Sequence, residues 1–154
     1  MKKFLPILVV FMIFGSVGLF AQSLSDSASL FLSGTVGEFV SVDVTPEPAA
    51  TGLALTAGQA SPLLVATVTE TSNTAYEVTA SSANAFNFSD GTNDLSYTLY
   101  YDGAAVTSSG DTVSSGASAS GVSRPVTVTF PAAGSGADTG VYSDTVTFTI
   151  STTP

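Results

Sequence analysis

The densest cluster of chemically capable side chains is Asp90-Gly91-Thr92-Asn93-Asp94, which gathers two carboxylates and two further oxygen-bearing side chains within five residues. Paired carboxylates can divide general acid and base work between them, and clustered oxygens are what a hard cation such as calcium takes. Asp90 and Asp94 are therefore the candidate calcium ligands and the one carboxylate pair that a hydrolase could use. The same residues also suit a turn, in which a short carboxylate bonds its own backbone. The later bidentate Glu of the helical calcium loop is missing.

Other chemistries are closed off by composition. The chain has no His and no Cys, which removes the usual general base near neutral pH, thiolate nucleophiles, Cys-ligated zinc and haem attachment. Its only lysines are Lys2 and Lys3, so neither a Ser-His-Asp nor a Ser-Lys arrangement is available. Arg124, next to Pro125 at a strand start, is expected to pair with a carboxylate rather than to anchor a ligand. No catalytic residue, enzymatic activity or cofactor is expected.

Residues 1–21 read as an export signal: Met1-Lys2-Lys3 carries charge, Phe4 to Phe20 is almost wholly apolar, and Ala21 offers a small cleavage residue. Pro6, Gly15 and Gly18 interrupt the apolar run, which falls short of the roughly 20 residues that span a bilayer. Cleavage is thus expected instead of a retained membrane anchor, with the mature chain starting at Gln22, or after Gly18 if that site is used. Export would take the chain through a periplasm to the cell surface or beyond. It would leave Arg124 as the single base against twelve carboxylates, a formal charge of −11 in place of −9. Nucleic acid is excluded as a partner, because phosphate binding needs neutralising Lys and Arg. Anionic lipid is excluded on the same balance.

What must position these residues is a set of strands. Period-two runs predict strands near residues 30–36, 39–44, 63–70, 75–81, 95–101, 104–106, 122–130 and 141–150, with a short one over 84–88. Val40, Val42 and Val44 share a face, as do Leu95, Tyr97, Leu99 and Tyr101, then Val126, Val128 and Phe130, and then Tyr142, Val146, Phe148 and Ile150. The opposite faces are mostly Ser and Thr, so each sheet should be buried on one side and wet on the other, as in an antiparallel sandwich. Thr strand preference accounts for these residues, and no Thr-x-Thr array persists over several strands. Asp102-Gly103 is a two-residue hairpin signal, Asp90-Gly91 a looser turn, and residues 108–121 and 131–136 read as surface loops. The last run, 140–150, precedes only Ser151 to Pro154 and is expected to be an edge open to a partner strand.

Two segments resemble the spore coat protein U domain family. Leu95-Ser96-Tyr97-Thr98-Leu99-Tyr100-Tyr101-Asp102 is similar to its Leu-x-Tyr-x-Leu-Tyr-x-Asp strand and turn, and Gly140-Val141-Tyr142-Ser143-Asp144-Thr145 is similar to its Gly-x-Tyr-Ser-Asp-Thr ending. Between them, Val68 to Thr71 and Ala75 to Thr79 resemble its paired strands. The resemblance implies an incomplete immunoglobulin-like β-sandwich over 37–154, lacking its last strand and exported with a periplasmic chaperone and an outer-membrane usher. Copies of the same or related subunits would then join by donor-strand exchange into a surface pilus or coat. The donor is expected within 22–36, where Leu24, Asp26, Ala28, Leu30, Leu32, Gly34 and Val36 share one face. Leu30, Leu32 and Val36 are its anchors, and Tyr142, Val146, Phe148 and Ile150 form one wall of the acceptor groove. Asp26 fits an apolar groove poorly. Family members commonly link their first two strands through a cysteine pair; Phe39 and Thr69-Glu70 stand in those neighbourhoods here, so packing is expected to replace the cross-link. The alternative is a self-contained secreted sandwich that binds a ligand or calcium, its N-terminal segment folded into its own sheet.

Overall fold

The computed structural model describes residues 25–134 and 137–154. The signal segment 1–21 and Leu24 lie outside the described residues. The chain divides into Met1–Thr35 and Val36–Pro154. In the described part of the first unit, residues 25–35, there is no regular secondary structure.

The second unit is all-β apart from a 3-10 turn at Pro48–Thr51. Its strands are β1 (Val40–Pro46), β2 (Gln59–Ser72), β3 (Tyr76–Ser82), β4 (Asn87–Ser89), β5 (Asp94–Ser96), β6 (Thr98–Tyr101), β7 (Ala104–Ala105), β8 (Asp111–Gly116), β9 (Ala119–Phe130) and β10 (Val146–Thr152). All pairings are antiparallel. One sheet has the order β1-β2-β9-β6-β7, a second β10-β3-β8, and β4-β5 form a separate hairpin. The alternation read from sequence is what builds the core. Val68, Leu99, Tyr101, Val126 and Val128 of the first sheet share one buried cluster with Ala80 of the second and with Phe86, Phe88 and Tyr97. Phe88 stacks on Tyr97 at 4.4 Å between ring centroids and meets Phe130 edge-on at 5.6 Å.

Turn chemistry follows expectation at Asp102-Gly103, where φ values of 49° and 83° close the β6-β7 hairpin. Other expectations about strand extent fail. No strand forms over 30–36: the alternation is present, but a strand exists only through a ladder partner, and the described residues supply none there. The run 95–101 is broken at Tyr97, because β5 pairs with β4 while β6 pairs with β9. The supposed loop 108–121 contains β8 and the start of β9. Its small residues still offer backbone to β3, and Gly116 leaves room for Tyr76, whose ring would lie 3.1 Å from an added Cβ.

The two sides of the layered sheets differ. On one, the chain crosses between sheets after β7: Val106 N donates to Leu99 O (2.8 Å) and Gly110 N to Ala80 O (2.7 Å), with Val106 buried. Asp111 fixes this crossing by accepting from Thr107 Oγ1 (2.7 Å) and from the backbone N–H of Thr107 (3.1 Å) and Ser108 (2.8 Å). The other side ends in the outer strands β1 and β10, neither of which has a second ladder partner among the described residues.

Candidate interaction groove

Between β1 and β10 lies an apolar cleft of about 180 Å³. Val44 and Pro46 form the β1 wall, Val146 and Phe148 the β10 wall, and Leu53 with the core residues Leu99 and Val128 are among those beneath. Val44 is 47 % exposed, a poor environment for a valine on a strand face and one that an added strand would improve. Farther along, Val40 of β1 and Ile150 of β10 both pack against the smaller cluster of Tyr76, Val78 and Ala119. The walls are thus joined at one end and apart at the other.

Three of the expected wall residues, Val146, Phe148 and Ile150, lie half-buried along β10. Tyr142 does not: it precedes the strand, and its hydroxyl donates to Asp138 O (3.0 Å). The expected strand 141–150 begins only at Val146, because the preceding residues are held by the β4 backbone at Ser143 and by side chains at Asp144. Ser143 makes an isolated bridge to Ser89, with both N–H···O distances 3.0 Å. Asp144 accepts from Tyr97 Oη (2.6 Å), Ser82 Oγ (2.6 Å), Asn84 N (3.0 Å) and Thr145 N (2.7 Å). Burial, and then the adjacent Asp144 carboxylate, push the Tyr97 phenol well above its ordinary value, so it stays a donor. Asp144 therefore ties β10 to the β3 end and to the aromatic cluster at the mouth of the cleft.

The expected donor anchors are free of the packing their apolar character calls for: Leu30, Leu32 and Val36 are 81 %, 80 % and 90 % exposed. Near Phe39, where packing was expected, hydrogen bonds hold the chain instead. Phe39 is more than half exposed, and it lies opposite Asn73, not Thr69-Glu70. Asn73 N donates to Phe39 O (3.1 Å), its Oδ1 accepts from Phe39 N (2.7 Å), and its Nδ2 donates to Gly37 O (2.8 Å).

Glu70 instead heads a buried polar cluster. Its side chain is fully buried and accepts from Tyr101 Oη (2.6 Å), Tyr76 Oη (2.9 Å) and Arg124 Nε (3.5 Å). Burial alone would raise its pKa, but the Tyr101, Ser114 and Tyr76 hydroxyls together with Arg124 outweigh it and hold the carboxyl below its ordinary value. Arg124 also grips Asp102 of the β6-β7 turn (Nη1 to Oδ2, 2.7 Å), the carboxylate pairing expected of it.

The calcium candidates Asp90 and Asp94 sit at the β4-β5 turn. Asp90 Oδ1 accepts from the N–H groups of Thr92 (2.8 Å) and Asn93 (2.7 Å), which hold its pKa at about 2. Asp94 opens β5 opposite Ser89. Among the described residues no group of three His, Cys, Asp or Glu side chains is placed to hold a metal.

Asp144 and Glu70 are the structurally decisive residues that reading the sequence undervalued. Both carry a signal: each falls on the inward parity of an apolar run, Asp144 with Val146 and Phe148, Glu70 with Ala66 and Val68. A carboxylate there needs partners. The chain matches no protein-family model and no curated protein.

Proposed function

We propose that this chain is an exported structural subunit of a surface pilus or coat, built as an immunoglobulin-like sandwich that lacks one strand and is completed by a neighbour. One observation carries the reading: an apolar cleft opens between two outer strands, β1 and β10, whose facing edges have no ladder partner among the described residues. Such an edge pair is the acceptor in strand addition, where main-chain hydrogen bonds hold the incoming segment and alternate side chains enter the groove. The occupant is residues 22–36 of a second copy. Its anchors Leu30, Leu32 and Val36 share one parity, carry no strand partner among the described residues and are exposed. Cleavage after residue 21, a periplasmic chaperone and an outer-membrane usher belong to this proposal through the resemblance to spore coat protein U domains, and no catalysis is assigned.

The test is assembly of the exported protein with residues 25–36 replaced by a Gly-Ser segment of equal length. Size-exclusion chromatography with light scattering should show polymers for the parent and monomers for the variant. Polymers of undiminished size in the variant would defeat the proposal, and a parent that is itself monomeric, melts reversibly and needs no chaperone would favour the self-contained ligand-binding sandwich.

A further inference from the structure

The open groove is shorter than the segment proposed for it. At the Val40 and Ile150 end its walls meet on the cluster of Tyr76, Val78 and Ala119. The part of β10 that lines the open cleft is Val146 to Phe148, about 7 Å from Cα to Cα. Leu30 to Val36 in extended form needs about 20 Å. We infer that the acceptor edge continues past the start of β10 to Tyr142, so that the incoming segment of a second copy also forms ladder bonds with Asp144 and Tyr142; the inference rests on the strand-addition reading above.

Residues 141–145 contain no turn or bend and run straight into β10. Side-chain burial alternates without interruption from Val141 to Ile150: Tyr142, Asp144, Val146, Phe148 and Ile150 are half-buried and the residues between them exposed, the period of one continuous strand. The backbone alternates in step. Ser143 exchanges N–H···O bonds with Ser89, Thr145 O accepts from Ala83 N (3.0 Å), and Thr147 lies opposite Ser81 in the β3 ladder. The odd-numbered residues therefore bond toward β3 and β4, and the even-numbered ones turn their N–H and C=O groups toward the cleft. Those of Tyr142 and Asp144 have no partner among the described residues. Space runs on beside them: a second cleft, of about 470 Å³, is lined by residues 50–53 and 140–144 and shares Ala50, Leu53, Phe88 and Asp144 with the first. The opposite wall offers no matching edge. Because Glu47 N donates to Val65 O of β2, Pro46 is the cleft-facing residue at the end of β1, and it has no N–H. Beyond Pro46 the incoming strand pairs on the Tyr142 side alone. From Tyr142 to Phe148 this edge measures about 20 Å, the length that Leu30 to Val36 requires.

Amide hydrogen exchange resolved to single residues in polymers of the full chain tests this edge. The N–H groups of Tyr142 and Asp144 should be slowed about a hundredfold or more, together with those of Val146 and Phe148, as ladder bonds protect them. Val141 N–H, on the opposite edge and without a partner among the described residues, should stay fast. The variant with residues 25–36 replaced by Gly-Ser should lose the slowing at all four positions; the alternation is read within the polymer itself, so the result stands even if that variant does not fold. Slowing at Val146 and Phe148 alone overturns the extension and leaves the groove reading standing. Equal slowing at Val141 does the same, since it would mark burial of the whole segment in place of edge pairing. No slowing at any of the four, or a full chain that forms no polymer, overturns the groove reading and the extension with it.

Discussion

Glu70 shows how one buried carboxylate organises this molecule. It draws hydroxyls from β3 and β6 and a guanidinium from β9 onto a single point inside the sandwich. A charge there is tolerable only because these donors replace its water, so truncation strands them. Glu70→Ala should cost about 3 kcal/mol in urea unfolding, the scale for leaving buried partners unsatisfied. The pH dependence has a definite sign. With its folded pKa below the ordinary 4.5, Glu70 contributes stability that is present above pH 4.5 and is lost as pH falls through the folded value. Tyr101 acts on the opposite limb. Burial and then the Glu70 contact raise its pKa above 10.0, so its contribution is present below pH 10 and is lost as pH rises through the folded value. Urea midpoints followed across pH should fall at both ends, and Glu70→Gln should flatten the acid limb.

At the scale of elements, β8 is the case where composition misleads. Ser, Thr and Gly read as a loop because they bury little, yet an outer strand needs only backbone to join a sheet, and β3 supplies the partner. What sequence could not convey is that Gly116 sits against Tyr76. Gly116→Val should therefore destabilise by about 1–3 kcal/mol, the usual cost of overpacking, and it should loosen the Tyr76 bond to Glu70, a change visible in the near-UV circular dichroism of the tyrosines. An unchanged melt and spectrum would mean that the ring has space to move. The central strands β2, β3 and β9 were legible because inward Val, Ala and aromatic residues alternate with Thr over long runs. The break at Tyr97 was not, since an uninterrupted period-two pattern hides a change of ladder partner. Residues 30–36 place Leu30, Leu32 and Val36 on one parity, with Phe31 on the other, and form no strand, which shows that periodicity marks a capacity to pair and leaves the partner undetermined. The groove was half legible. Its β10 wall lay in the alternation of Val146, Phe148 and Ile150, whereas β1 as the second wall depends on sheet order.

For the molecule as a whole, the decisive property is the asymmetry between its two sides. The crossing at residues 106–110 carries backbone bonds from one sheet to the other and buries Val106, whereas β1 and β10 face a cleft with no such crossing. Two of the four margins of the layered sheets, β7 and β8, flank the crossing, whereas β1 and β10 together enclose the cleft and its pockets for side chains. A chain with so few cations also cannot guard its edges with lysine, the common device against unwanted strand pairing. If the strand-addition proposal holds, association should depend on the cleft and hardly at all on the far margin. Val44→Asp places a charge on the β1 wall at a half-exposed position, where it should alter monomer stability by no more than about 1 kcal/mol yet abolish polymer growth, because an incoming apolar strand would bury that carboxylate unpaired. Ser115→Asp, exposed on the outer strand β8, adds the same charge away from the cleft and should leave polymer length unchanged. Light scattering on the two variants separates a groove-specific contact from general charge repulsion, since equal losses of assembly would assign the effect to net charge and remove the cleft from the argument.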